Sequence, residues 1–215
     1  MKTLPFCNVE DFARAVPAVE THLRAGGLIA YPTETVYGLG CALLPRPLEA
    51  LARLKQRDVR KPFLLLVLEG GRETGLTWTD SARSLAQAFW PGPLTLALRA
   101  EPGAYPAAVV ADGSVAIRAT PHPGVRALLS ALGGPLTSTS ANAPGHPPAT
   151  SADETRGVLA VLGAEMESMQ LLDGGRLPPS PPSTVLNCAV EPPRLVRAGA
   201  ISLERLCAVV KEIDV

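Results

Sequence analysis

The sequence predicts an α/β fold built around a mixed sheet. Amphipathic helical patterns alternate with short apolar or β-branched runs from one end of the chain to the other, and the prolines gather in the connections. Hydrophobic residues make up 47% of the 215 and charged residues 19%, a balance that supplies a core and excludes a disordered tether.

The elements follow in order. A helix is expected over 17–25, with Pro17 in its first turn and Gly26-Gly27 stopping it. LIAY (28–31) and VYGLGC (36–41) read as strands, and Leu48, Leu51 and Leu54 mark one face of a helix over 46–56. FLLLVL (63–68) is a strand, 80–89 a helix, and LTLAL (94–98) and VAIRA (115–119) are strands. A helix at 123–132 precedes the strand PLTSTS (135–140), and Ser151 with Glu154 forms a capping-box pair for a helix over 152–162. TVLNC (184–188) and RLVR (194–197) close the set of strands, with a last helix over 203–213 behind Ser202. The 22 prolines, about twice the average usage, cluster at 91–93, 144–148 and 178–182. Each cluster is soon followed by another core-like segment, so they read as rigid loops within one domain spanning 1–215.

Twenty basic residues balance twenty acidic ones. No global field then favours nucleic acid or an anionic membrane, and any anion site has to be local. The opening MKTLPFCNVEDF has no apolar stretch of the secretory kind, and no run approaches the roughly 20 apolar residues that span a bilayer. The cytoplasm is the expected location. Cys7, Cys41, Cys188 and Cys207 are scattered without metal-ligand spacing and read as small apolar side chains in a reducing compartment.

The sequence contains no GxxxxGK[ST], no GxGxxG after a strand, no HExxH and no GxSxG, and His22, His122 and His146 stand apart. Nothing supports covalent or metal-centred catalysis. Cationic and hydroxylic segments remain. Lys55, Arg57, Arg60 and Lys61 crowd LKQRDVRKP (54–62) at a helix end. Cations favour a helix C-terminus, yet so many in one short loop repel one another unless they share an anion. Arg118 sits within VAIRAT, either as an ordinary ion-paired or solvent-facing side chain or as one that opens onto a cleft, because a lone buried charge is costly. YPTETVYGLGC (31–41) is either a tight connection or a loop whose Thr35 and glycines admit a small polar ligand. PLTSTSAN (135–142) is either a polar strand end with its turn or a nest of hydroxyls and N–H groups for phosphate. The period of two puts Ser138 and Ser140 on one face and Thr137 and Thr139 on the other.

Taken together, YPTETVYGLG, KQR with KP, WPGPLT, SVAIRATPHP, PLTSTSAN, PPSTVLN and LVRAG stand in an order that resembles the YrdC family of threonylcarbamoyl-AMP synthases, from Gly26 to the C-terminal helix. The resemblance implies an open, twisted, mixed and largely parallel sheet with flanking helices around a concave, positively lined cavity. It implies condensation of L-threonine, bicarbonate and ATP into L-threonylcarbamoyladenylate with release of pyrophosphate. Transferase proteins downstream would then pass the threonylcarbamoyl group to tRNA. Carried over by motif, the threonine site comprises Thr35, Arg118, Ser138 and Ser183. The ATP site comprises Lys55, Arg57, Lys61, Ser114, Ser140, Asn142 and Arg197, with Lys55, Arg57 and Arg118 as the catalytic set. Mg2+ is expected with ATP, held by phosphates and water rather than by protein ligands.

Two departures matter. Some members place a threonine-contacting His in the strand after the KxR loop, where this chain has Leu66. The chain also ends one helix after LVRAG, like the short family form. An alternative reading makes the basic cavity an RNA- or ribosome-binding cradle without catalysis, although the neutral charge lends direct RNA binding little support.

Overall fold

The computed structural model describes residues 1–56, 61–69 and 73–215. In chain order the elements are β1 (Lys2–Pro5), α1 (Val9–Arg24), β2 (Leu28–Tyr31), β3 (Gly38–Cys41), α2 (Pro45–Leu54), β4 (Leu64–Val67), β5 (Leu76–Thr77), α3 (Asp80–Phe89) and β6 (Leu94–Ala100). They continue as β7 (Val110–Ala111), β8 (Ser114–Ala119), α4 (Pro123–Leu132), β9 (Leu136–Ser140), α5 (Ala152–Val161), β10 (Met169–Asp173), β11 (Thr184–Asn187), β12 (Arg194–Arg197) and α6 (Leu203–Cys207).

The strands form one mixed sheet in the order β1-β10-β2-β3-β9-β4-β8-β6-β11-β12, with β5 added beside β6 and β7 beside β8. Parallel ladders join β1 to β10, β10 to β2, β4 to β8 and β6 to β11. Antiparallel ladders, equally prominent, link these groups through β3, β9 and the β6/β8 pair. The α/β architecture is the one expected, and the helices at 80–89 and 123–132 have the expected bounds.

Alternation along the strands divides the core between two faces. Leu28, Ala30, Leu65 and Val67 join one apolar cluster with Leu48 and Leu51 of α2 and Leu85 of α3. Ile29, Tyr31, Leu66 and Leu136 join the other, against Phe12, Val16 and Val19 of α1 and Val125 and Leu128 of α4. Strand β3 lies close against β9: a Cβ at Gly40 would stand 2.1 Å from the Thr137 carbonyl oxygen. There the Thr137 hydroxyl replaces ladder bonds, accepting from the Cys41 N–H and donating to the Cys41 carbonyl, each at 2.8 Å.

Two helices and four strands depart from expectation. Helix α1 begins at Val9 rather than at Pro17, because Asn8 accepts from the Asp11 N–H while Asp11 accepts from the Cys7 N–H, a reciprocal cap that starts the helix two turns earlier. Helix α6 stops at Cys207. Strands β1, β5, β7 and β10 were not expected, and β10 is an interior strand, paired on one side with β1 at the sheet edge and on the other with β2.

Candidate functional site

The face that carries α1 and α4 is covered only in part. Beyond the helices the same face opens as a cavity of about 300 Å³. Register explains which side chains floor it. Gly38 of β3 pairs with Ser140 of β9, Ser138 of β9 with Leu64 of β4, and Val185 of β11 with both Thr95 of β6 and Arg197 of β12. All of these line the cavity. A strip of small, hydroxylic and cationic residues therefore crosses neighbouring strands on one face.

The loop between β2 and β3 forms one wall. Thr33 holds it tight: its hydroxyl accepts from the Thr35 and Val36 N–H groups at 3.2 and 3.3 Å and donates to the Val36 carbonyl at 2.7 Å. This local turn sets Thr35 in the wall with its Oγ1 3.1 Å from that of Thr33.

Arg118 comes from β8, where it pairs with Leu66. Its side chain is 6% exposed, and its charge is met by Glu34, whose Oε1 lies 3.6 Å from Nη1. No hydrogen bond is made by the guanidinium among the described residues, and Nε is buried without a partner. A buried cation with unspent donors is costly unless a ligand supplies the missing oxygens. It is a planar fork suited to a carboxylate or phosphate.

Arg197 approaches from β12. It donates from Nε and Nη2 to the Ser183 carbonyl at 3.1 and 2.8 Å, and from Nη2 to the Ser183 Oγ at 3.0 Å. The Ser183 hydroxyl lies 2.9 Å from that of Thr95. Desolvation, and then the positive charge of Arg118, holds the Arg197 guanidinium below its ordinary pKa. Two cations sharing one cavity raise its affinity for anions.

Ser140 links the cavity to a second layer. Lys55, at the C-cap of α2, donates from Nζ to the Ser140 carbonyl at 2.9 Å, the Asn142 carbonyl at 2.6 Å and Asn142 Oδ1 at 3.0 Å. The Ser140 hydroxyl donates to the same Oδ1 at 2.6 Å, and Asn142 Nδ2 donates to the Ala143 and His146 carbonyls. One ammonium, that of Lys55, thus ties the end of α2 to Ser140 and Asn142.

Of the residues expected from sequence, Thr35, Arg118, Ser138, Ser140, Ser183 and Arg197 share the cavity. Lys55 and Asn142 form the layer around Ser140. Ser114, at the start of β8, donates to the Ala111 carbonyl at 2.8 Å and lies beyond the lining, where Ala116 is the nearest β8 residue of the same face. Lys61 is exposed and outside the lining, and Arg57 lies outside the described residues. Leu66 is fully buried in the apolar cluster, and Leu64 reaches the cavity instead. Thr137 packs on the far side as the period of two predicts, whereas Thr139 also contributes to the lining. Sequence reasoning missed Thr33, Thr95 and Glu34. A lone hydroxyl inside the apolar LTLAL was the available signal for Thr95.

The family model Sua5_yciO_yrdC, described as "Telomere recombination", matches residues 21–199. The chain belongs to the Sua5/YciO/YrdC family. It is 41% identical over 184 residues to a threonylcarbamoyl-AMP synthase of Chromohalobacter salexigens, covering 82% of this chain and 94% of that one. The structure of P. abyssi Sua5 complexed with L-threonine superposes with a TM-score of 0.86 at 28% identity over 100% of this chain, which spans 62% of that Sua5. E. coli YciO superposes with a TM-score of 0.81 at 25% identity, covering 95% of this chain and 98% of its own.

Proposed function

We propose that this family member is an L-threonylcarbamoyladenylate synthase serving threonylcarbamoyladenosine modification of tRNA. The observation that carries the reading is Arg118: a buried guanidinium, with donors to spare, opening onto a cavity ringed by the hydroxyls of Thr35, Ser138 and Ser183. That arrangement suits the carboxylate and polar groups of a small hydroxy amino acid. The names of the curated relatives and the threonine-bound P. abyssi Sua5 favour the same substrate over a non-catalytic RNA cradle.

In the proposed reaction, the threonine amine adds to the carbon of bicarbonate and water leaves, giving a carbamate. A carbamate oxygen then attacks the α-phosphorus of ATP, and the bond to the β-phosphate oxygen breaks to release pyrophosphate. Such displacements depend on positioning and charge neutralisation, so a protein nucleophile is not required. Arg118 orients the threonine carboxylate, and Thr35, Ser138 and Ser183 bound its site. Arg197 and Ser140 face the nucleotide phosphates. Lys55 and Asn142 hold Ser140 in place, with Arg57, Lys61 and Ser114 completing the proposed ATP set.

Magnesium enters this proposal as the counter-ion of the triphosphate. Glu34, the carboxylate beside Arg118, is engaged by Arg118 and Thr120, so these residues do not make a resident metal site. Among the described residues no helix is long and apolar enough to cross a membrane, and a cytoplasmic location fits a tRNA-directed product. The reading is tested by pyrophosphate release from ATP and bicarbonate. L-threonine should stimulate release well above L-serine or no amino acid, and equal rates would refute it.

A further inference from the structure

We propose that Glu34 is a positioning residue for the amino-acid carboxylate, holding the Arg118 fork open toward the cavity while itself anchored by Thr120. This rests on the threonine-site reading above and assigns a role to a residue outside the cavity lining. In the stretch Thr33-Glu34-Thr35, the two threonines contribute to the wall and Glu34 turns back toward β8.

Two contacts define its role. Glu34 Oε2 accepts from the Thr120 Oγ1 at 2.8 Å, and Thr120 in turn accepts from the His122 N–H at 3.2 Å, so the carboxylate is tied to the end of β8. Among the described residues Glu34 Oε1 makes no hydrogen bond, and it stands 3.6 Å from Arg118 Nη1. An ion pair at that distance offsets the cost of burying Arg118 without spending its N–H donors. A closer, bidentate pair would occupy the face that a substrate carboxylate needs. With no carboxylate at all, Arg118 would lose its one ion-pair partner among the described residues, and its side chain would have to be ordered by the incoming amino acid. Thr120, Glu34 and Arg118 therefore act in series, from the backbone of β8 to the cavity.

The test uses the full chain, with steady-state kinetics in each substrate and calorimetric titration of L-threonine. Glu34→Gln keeps an acceptor for Thr120 and removes the charge. It should raise the KM for threonine roughly 3- to 10-fold, more than any fall in kcat, and leave the KM for ATP near wild type. Thr120→Val should produce a smaller rise in the same direction. The double variant should be no worse than Glu34→Gln alone, because the two residues act on one path. The role is overturned by an unchanged or lower threonine KM in Glu34→Gln, by an equal rise in the KM for ATP, or by additive effects in the double variant. A wild-type protein that neither binds nor uses threonine overturns instead the functional reading beneath it.

Discussion

The Lys55 ammonium lies 3.0 Å from Asn142 Oδ1 and closes a ring with the carbonyls of Ser140 and Asn142, so a helix end and a strand end separated by more than 80 residues are fastened at one charge. An ammonium has three donors, and here three protein oxygens receive them. Lys55→Met fills similar volume and removes the charged donor from all three, leaving the Ser140 carbonyl with only the Asn142 N–H and Oδ1 with only the Ser140 hydroxyl among the described residues. It should cost about 2–3 kcal/mol of stability, read as a lower urea midpoint, and should weaken ATP use through a displaced Ser140. An unchanged midpoint would show that the ring contributes nothing.

Arg118 should divide the substrates. Arg118→Ala removes a charge-assisted fork, and the KM for threonine should rise about 100-fold or more while the KM for ATP changes far less. Arg118→Lys should rescue poorly, since a point charge cannot reproduce two parallel N–H bonds. Initial-rate measurements varying each substrate check both statements. Equal effects on the two substrates would contradict the division of roles.

Gly199 provides a test remote from the reacting atoms. A Cβ there would stand 2.3 Å from the Pro182 carbonyl oxygen and 2.6 Å from the Ser183 carbonyl carbon, both backbone atoms of the cavity wall. Gly199→Ala should push that wall inward, costing about 1–3 kcal/mol and reducing activity although no ligand group is removed. Thermal melting and turnover, measured together, check this.

Stability should depend on one histidine. His122 stacks on Phe6 with centroids 5.7 Å apart and accepts from the Val125 N–H as the N-cap of α4. Burial holds its pKa below the ordinary 6.5, with Glu34 acting in the opposite direction. The unfolded chain therefore takes up a proton first as pH falls. This stabilisation is complete above pH 6.5, is lost as pH drops toward the lowered value, and then levels off. His122→Asn retains a capping acceptor and should flatten that part of the pH-stability curve in urea titrations.

The thiols should fall into two classes. Burial pushes Cys41 up to about 11 and Cys188 up to about 12, while Cys7 and Cys207 are exposed. A thiol-specific reagent at mildly alkaline pH should label Cys7 and Cys207 in the native protein and reach the other pair only on unfolding.

Much of the architecture was legible because hydrophobic period and caps act locally. α3 and α4 fall on the expected bounds, and in the structure Thr79 and Gly133 cap them. β10 was not legible, since MQLLD offers only two consecutive apolar residues, Leu171 and Leu172, between Gln170 and Asp173, too short a run to mark a strand. α1 was misplaced because Pro17 is a helix-start signal, and the Asn8 cap outweighs it. At the site, motif order brought Thr35, Arg118, Ser138, Ser140, Ser183 and Arg197 together. Pairing that depends on register across the sheet could not be read from order alone. Nothing local indicates that Thr95 meets Ser183, or that Lys55 faces the Asn142 turn.

The most direct test is the product itself. Incubation with carbon-13 bicarbonate, L-threonine and ATP, followed by mass spectrometry, should detect a threonylcarbamoyl adenylate carrying the heavy carbon, formed together with pyrophosphate and greatly reduced in Arg118→Ala. Conversion of ATP without incorporation of the heavy carbon, or equal incorporation with L-serine, would contradict the account.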